Sequence, residues 1–126
     1  MKRSAVAATL AALAAATTIA TTAPATASTS IEVKYVFYTN TTSVDYHYTT
    51  PTDSFTRTNR KFLQKTEKGN YYLTRTYRTT DEYDIPSSWI STNFESDGSY
   101  VQCNIYVDGH LTDLHRGYGP YASAYC

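Results

Sequence analysis

Few residues of this chain have the type and spacing that chemistry requires, and the two cysteines are the most informative. Cys103 and Cys126 both lie in the last quarter of the chain. No C-x-x-C pair is present, so a metal or redox role is the less favoured alternative. An even number of cysteines normally forms disulfides where a chain is exported, and the N-terminal residues of this chain predict export. We therefore predict one disulfide, which closes a loop of about two dozen residues and contributes on the order of 3 kcal/mol.

The histidines do not form a recognisable catalytic or metal site in the sequence. His110, Asp113 and His115 lie within six residues of one another. In an extended strand, however, His110 points away from the other two side chains, which makes a three-ligand metal site geometrically poor. His47 lies in a polar strand pattern and is interpreted as a surface side chain. Because no G-x-S-x-G or H-E-x-x-H motif occurs either, we predict no enzymatic activity, no metal and no cofactor.

Tyrosine is unusually frequent, with 13 copies against one methionine and one tryptophan. A tyrosine ring can be buried while its hydroxyl stays in water, so packing in a small domain accounts for most of these residues. Tyr118, Tyr121 and Tyr125 nevertheless cluster near a glycine-rich corner, and tyrosine is enriched at protein interfaces. We predict that this C-terminal corner binds a partner, and simple packing is the alternative.

Charged residues are unevenly distributed along the chain. Seven basic residues fall within residues 57–78, beginning with Arg57, Arg60 and Lys61, whereas the charges of residues 81–113 are acidic. We predict that the basic segment is a second docking patch, for an acidic partner or an anionic lipid surface. The alternative is a solvated face that has no partner.

The N-terminal residues have the composition of an export signal. A positively charged start precedes a mostly alanine run, and small residues before Ser28 predict cleavage near Ala27. A retained membrane anchor is the alternative, but threonines and a proline interrupt the run, whereas a membrane span needs about 20 strongly apolar residues. We therefore predict a signal peptide in residues 1–27 and one secreted or cell-envelope domain, without a membrane span, in residues 28–126.

The charge balance of the mature chain restricts its partners. Cleavage removes Lys2 and Arg3, which leaves nine basic against eleven acidic residues and a net charge of −2. This balance does not favour nucleic acid as a partner. The mature chain is also short enough for a single domain, and we expect a monomer.

Alternating side chains predict an all-β domain. Residues 101–107 alternate apolar and polar side chains, and Asp108-Gly109 directly after them is a strong hairpin signal. Comparable patterns predict further strands at residues 31–38, 44–49, 61–66, 71–79, 89–94, 110–116 and 121–126. The first two are expected to form a hairpin, and residues 52–59 are expected to be a loop or an irregular edge. Together these elements predict a small Ig-like β-sandwich of about seven antiparallel strands, closed by the disulfide.

Two C-terminal runs and the opening strands resemble MmpS-like transport accessory proteins. The runs are C-N-I-Y-V-D-G, which starts at Cys103, and G-Y-G-P-Y-A-S-A-Y-C, which ends at Cys126. In that family a cysteine-bearing strand, a V-D-G turn and a Gly-Pro-Tyr-Ala segment with a final cysteine recur together. I-E-V-K-Y-V-F-Y with S-V-D-Y-H-Y-T-T-P also resembles the opening strand pair of the family, and I-P-S-S-W-I resembles its Leu-Pro-Trp element. The segment of residues 55–82 is longer and more basic than the resemblance to this family leads us to expect.

The resemblance implies an Ig-like β-sandwich outside the cytoplasm. It further implies a non-catalytic accessory to a resistance-nodulation-division (MmpL-type) exporter of lipids or siderophores. Better-known members of the family keep an N-terminal transmembrane helix, whereas this chain is predicted to be cleaved. The expected partner is therefore a membrane exporter or another envelope protein. The alternative function is a freely secreted effector or inhibitor that binds an enzyme or a cell-wall polymer.

Overall fold

The computed structural model describes residues 29–93 and 96–126, and these residues form nine β-strands. The predicted signal peptide of residues 1–27 lies outside the described residues, as does Phe94 at the end of one predicted strand. Across the described ranges, no helix has the length and apolar character needed to cross a membrane.

The nine strands form two antiparallel sheets that pack face to face. In chain order the strands are β1 Ile31–Thr39, β2 Val44–Thr49, β3 Ser54–Arg60, β4 Gln64–Lys65, β5 Tyr71–Thr79, β6 Ser88–Thr92, β7 Tyr100–Val107, β8 His110–Tyr118 and β9 Ser123–Tyr125. The five-stranded sheet has the order β4-β5-β1-β7-β8, and the four-stranded sheet has the order β3-β2-β6-β9. The prediction of an all-β sandwich of antiparallel strands is therefore confirmed.

The core lies between the two sheets because the central strands alternate apolar inward and polar outward positions. On β1, the inward-pointing Val33, Tyr35 and Phe37 are at most 2 % exposed. Ile90 on β6 is equally buried from the opposite sheet. The Tyr35 hydroxyl donates a hydrogen bond of 2.8 Å to the backbone oxygen of Thr49. This buried tyrosine therefore links the two sheets and still satisfies its polar group.

The disulfide joins the two sheets at one edge of the sandwich. Cys103 lies on β7 of the five-stranded sheet, and Cys126 follows β9 of the four-stranded sheet. Their sulfur atoms are bonded, so the predicted pairing is confirmed. At the same edge β9 contacts both β7 and β8. We call this the closed edge.

The hairpin prediction for β7 and β8 is confirmed, but the one for β1 and β2 is wrong. Asp108 and Gly109 take φ values of 49° and 82°, as a two-residue turn between paired strands requires. β1 instead pairs with β5 and β7, and β2 lies in the other sheet. A bond of 2.8 Å joins the buried Thr39 and Thr41 hydroxyls in the bend after β1. Beyond this bend the chain crosses to the other sheet instead of pairing back on itself.

The structure also refines the predictions for residues 52–66. β3 is the edge strand of the four-stranded sheet, which agrees with the irregular-edge interpretation of residues 52–59. The predicted strand at residues 61–66 is reduced to the two residues of β4. Phe62 leaves the strand path and is buried in the core, only 4 % exposed.

Candidate functional site

A cleft opens between the two sheets at the edge opposite the disulfide. It has a volume of about 730 Å³ and lies between β3 of one sheet and β5 of the other. Among the described residues, four cations line it: Arg57, Arg60, Lys61 and Arg75. Its apolar lining includes Phe62, Leu63 and Leu73. We call this site the basic cleft and this side of the sandwich the open edge. The structure thus brings the three predicted basic residues together and adds a fourth.

A β-bulge turns two arginines onto the same face of β3. Arg57 and Arg60 each pair with a buried residue of β2, so both point inward. Strict alternation would put residues three apart on opposite faces. The pairing instead shifts near Asp45, where Asn59 adopts a φ of 50° and its backbone N–H donates to the Asp45 carboxylate at 2.8 Å. The bulge therefore directs Arg60 into the cleft together with Arg57.

The five-stranded sheet supplies the third arginine. Arg75 lies on β5 between Leu73 and Tyr77, which share its side of the strand and pack against the core. β4 pairs only with Tyr71 and Tyr72, so it does not cover β5 at Arg75. Arg75 consequently occupies an inward-facing position where the sandwich is open, and its side chain is exposed in the cleft.

The cations of the cleft have no acidic partners among the described residues. Two ion pairs form between described residues, and both lie outside the cleft: Arg78–Glu32 and His115–Asp113. Arg57 lies against the Phe55 ring, with 5.7 Å from the guanidinium carbon to the ring centroid. No described Asp or Glu residue lines the cleft. Like charges in a concave site with apolar walls focus the positive potential, so the cleft attracts anions.

Apolar side chains form the floor and the rim of the cleft. The buried Phe62 ring packs edge-on against Tyr46, with the ring centroids 5.6 Å apart. Leu63 follows it directly and is 86 % exposed. The cleft therefore offers contact to a partner that carries both negative charge and apolar surface.

The three tyrosines of the predicted C-terminal corner are exposed, but they do not share one face. Tyr118 lies on the outer side of the five-stranded sheet, where its ring is 5.5 Å from that of Tyr100. Tyr125 lies on the outer side of the four-stranded sheet, in register with Trp89. Tyr121 lies in the connection between β8 and β9. Partner binding by each of them remains a prediction, but they do not form a single patch.

The outer side of the five-stranded sheet carries a row of planar side chains. One residue from each strand, in directly paired positions, forms this row: Gln64, Tyr72, Tyr38, Gln102 and Arg116. Gln102 is 7 % exposed, and its carbonyl oxygen accepts a bond of 2.9 Å from the Nε of Arg116. Burial raises the pKa of Tyr38 and of Tyr100. Both hydroxyls are therefore protonated at neutral pH and can donate hydrogen bonds.

Two of the three histidines are held in local contacts. Asp113 and His115 share one side of β8, as predicted, with 3.3 Å between Oδ1 and Nε2. His47 stacks on Trp89 and bonds to the Thr56 hydroxyl at 2.8 Å. Within residues 29–93 and 96–126, no group of three or more His, Cys, Asp or Glu residues could hold a metal ion.

Two features of the site were missed from the sequence. Arg75 belongs to the predicted basic segment, but its position on the same strand side as Leu73 and Tyr77 was not used to place it at the site. The bulge at Asn59 had no signal in the sequence, because it depends on a hydrogen bond to a different strand.

No protein-family model matches the chain, and no curated protein matches it either.

Proposed function

We propose that this chain is a non-catalytic binding module that works outside the cytoplasm as an accessory to a resistance-nodulation-division exporter of lipids or siderophores. The observation that supports binding is the basic cleft, where four cations meet without an acidic partner among the described residues. The exporter as partner rests on the resemblance of the two cysteine-bearing runs to MmpS-like proteins. The docking site is the basic cleft.

The chemistry of the cleft favours an acidic segment with an apolar residue as its occupant. Arginine guanidinium groups bind carboxylates through two parallel hydrogen bonds, and Lys61 adds a point charge. Leu63, exposed at the rim, offers apolar contact to the same segment. An extracytoplasmic loop of the exporter with these properties would neutralise the cleft and bury its apolar rim.

Protection of a sheet edge is the competing explanation for inward-facing cations. A charge that points inward on an edge strand prevents pairing with another chain. β3 is such an edge, and so is β5 at Arg75, where β4 does not cover it, so this explanation accounts for the cations but not for the apolar rim. Leu63 is also exposed there, although an edge built only to avoid association would not expose a leucine. Docking accounts for all of these features.

Cross-linking in the producing cells tests the proposed partner. A photo-reactive amino acid replaces Leu63 at the rim of the cleft, and the matched control carries it at Ile85, which is 83 % exposed and does not line the cleft. We expect position 63, but not position 85, to cross-link to an exporter of this class. The charge reversals Arg57→Glu and Arg60→Glu, combined, should abolish that product.

Three results of the cross-linking experiment would contradict the proposal. One is the absence of any cross-linked exporter from position 63, and another is equal cross-linking from positions 63 and 85. The third is recovery of all the protein, unbound, in the medium, which favours the freely secreted effector. Tyr121→Ala separates the predicted C-terminal corner from the cleft, because we expect it to leave the cross-link at position 63 unchanged.

A further inference from the structure

The outer side of the five-stranded sheet contains two neighbouring recesses, and the first of them adjoins the basic cleft at Tyr72 and Thr74. Their volumes are about 430 Å³ and 410 Å³, which is within the usual range for small-ligand sites. Tyr38, Thr66 and Glu67 line both recesses, so the two recesses adjoin at these residues. We call them the outer recesses.

A chain of hydrogen bonds fixes the polar groups beside the outer recesses. The Tyr100 hydroxyl donates to the Gln102 carbonyl, and the Gln102 amide donates to Asn104 at 2.7 Å. The Asn104 amide in turn donates to the Tyr106 hydroxyl at 3.1 Å. Gln102 and Asn104 are only 7 % and 4 % exposed, although both occupy outward positions of β7. This network holds the two flanking tyrosines in place and leaves the hydroxyl proton of Tyr106 for another acceptor.

The outer recesses carry an excess of positive charge. Lys34 and Lys65 line the first recess, and Lys68 and Arg116 line the second. Glu67 is the one carboxylate that lines them among the described residues. None of the four cations forms an ion pair within the described part of the chain. A ligand that complements this surface is therefore negatively charged.

We propose that the outer recesses bind an acidic saccharide, a short chain of sugar rings that carry carboxylate or phosphate groups. The tyrosine rings supply apolar walls, and their hydroxyls, with Thr66, Thr74 and Asn70, supply donors and acceptors for sugar hydroxyls. The lysines and Arg116 bind the acidic groups. Two adjoining recesses of similar size suit consecutive units of such a chain.

The arrangement of the rings favours a saccharide over single-stranded nucleic acid. Nucleic-acid bases stack on open aromatic faces. Here the Tyr38 ring packs against Tyr72 with centroids 6.3 Å apart, and the Tyr100 ring packs against Tyr118 at 5.5 Å. Each of these rings therefore has a neighbouring ring beside it, which leaves less open face for base stacking, and the tyrosine hydroxyls match hydroxylated sugars.

Calorimetric titration of the purified protein tests this site with a matched pair of probes. Tetragalacturonate carries a carboxylate on each sugar, and its methyl ester has the same sugars without the charge. We expect the acid to bind and the ester to bind at least about tenfold more weakly. Combined Lys65→Ala and Lys68→Ala should weaken binding of the acid by about tenfold, whereas Arg78→Ala should have no effect. Arg78 is the matched control because it lies on the same sheet but lines neither outer recess.

Further variants separate this site from protein folding and from the basic cleft. Lys65 and Lys68 are exposed, so their replacement should leave the urea midpoint unchanged. Tyr38→Phe should weaken binding, because it loses the hydroxyl but keeps the ring, and Tyr38→Ala should abolish it. Arg57→Ala with Arg60→Ala should bind tetragalacturonate as the wild type does. The saccharide site is then independent of exporter docking.

Several results would overturn the saccharide site. These are no binding of tetragalacturonate by the wild type, equal binding of the acid and its ester, or equal losses from the paired lysine variants and Arg78→Ala. Tighter binding of an oligothymidylate than of tetragalacturonate would assign the recesses to nucleic acid instead. Tighter binding of anionic phospholipid vesicles would assign them to a membrane surface.

Discussion

The two edges of this sandwich are built in opposite ways. At the closed edge, Cys103 and Cys126 join the sheets, and Ala122 and Ala124 are each only 2 % exposed. At the open edge, the sheets are separated by a cleft of about 730 Å³ that is lined by cations. Cohesion therefore lies at the closed edge and the proposed recognition at the open edge, which lets the open edge carry repelling charges while the closed edge holds the fold.

Side-chain size explains how the closed edge brings the sheets together. The residues there are small, and at Gly117 an added Cβ atom would lie 2.1 Å from the backbone oxygen of Ser123. At the open edge the inward positions are filled instead by long side chains, such as Arg57 and Arg75. Substitutions at the closed edge should therefore change stability, and substitutions at the open edge should change binding.

Removal of the disulfide should have the largest effect on stability. Cys103→Ala with Cys126→Ala releases a cross-link between residues 23 positions apart and should lower the free energy of unfolding by about 3 kcal/mol. Urea unfolding of the variant and the wild type measures this difference. A loss below about 1 kcal/mol would show that the closed edge does not depend on its covalent bond.

Gly117→Ala should have the next largest effect, because the added methyl group meets backbone atoms of β9 that cannot rotate away. We expect a loss of about 2 kcal/mol in the free energy of unfolding. Gly98→Ala is the matched control, since its nearest neighbouring atom would be 4.0 Å from the added carbon. Equal unfolding midpoints for the two variants would remove the steric explanation for the close approach of the sheets.

Substitution at the bulge of the open edge should have a smaller effect on stability. Asn59 has a backbone φ of 50°. A residue with a β-branched side chain adopts this left-handed conformation at a cost of about 1 kcal/mol in the free energy of unfolding. Asn59→Val should therefore be less stable than Asn59→Gly, because glycine adopts this conformation freely. If thermal unfolding shows equal stability for the two variants, the left-handed backbone at residue 59 is not what sets the bulge.

Removal of the cations themselves should have almost no effect on stability. Arg57→Ala with Arg60→Ala takes away charges that have no acidic partner among the described residues, so the free energy of unfolding should change by less than about 0.5 kcal/mol. The same urea titration as for the disulfide variant measures it. A loss as large as that of Gly117→Ala would mean that the cations support the fold and are not reserved for a partner.

Much of the closed edge could be predicted from the sequence, because its signals are local. The alternation of residues 101–107, the Asp-Gly turn and the two cysteines each indicate their own structure without knowledge of a distant strand. The disulfide and the hairpin of β7 and β8 were both correct for this reason. The crossing of the chain after β1 was not predictable, because it depends on which sheet the next strand joins.

The open edge could be predicted only in part, because its geometry arises from contacts between distant residues. The charge run identified Arg57, Arg60 and Lys61 as a group. It could not show that a bulge fixed by Asp45 places both arginines on the inner face. It also could not show that Arg75, on the other sheet, faces the same cleft. The row of planar side chains on the outer face was missed for the same reason.

We propose that the closed edge holds the fold and that the open edge binds the partner. The most direct test of this division measures how much protein is retained on exporter-containing membranes. The wild type is compared with the double variant Arg57→Ala with Arg60→Ala. Retention should fall to background for the double variant, and wild-type retention should weaken as salt is raised, because the contact is between charges. Both proteins should have the same urea midpoint. Undiminished retention of the folded double variant would show that the basic cleft is not the docking site.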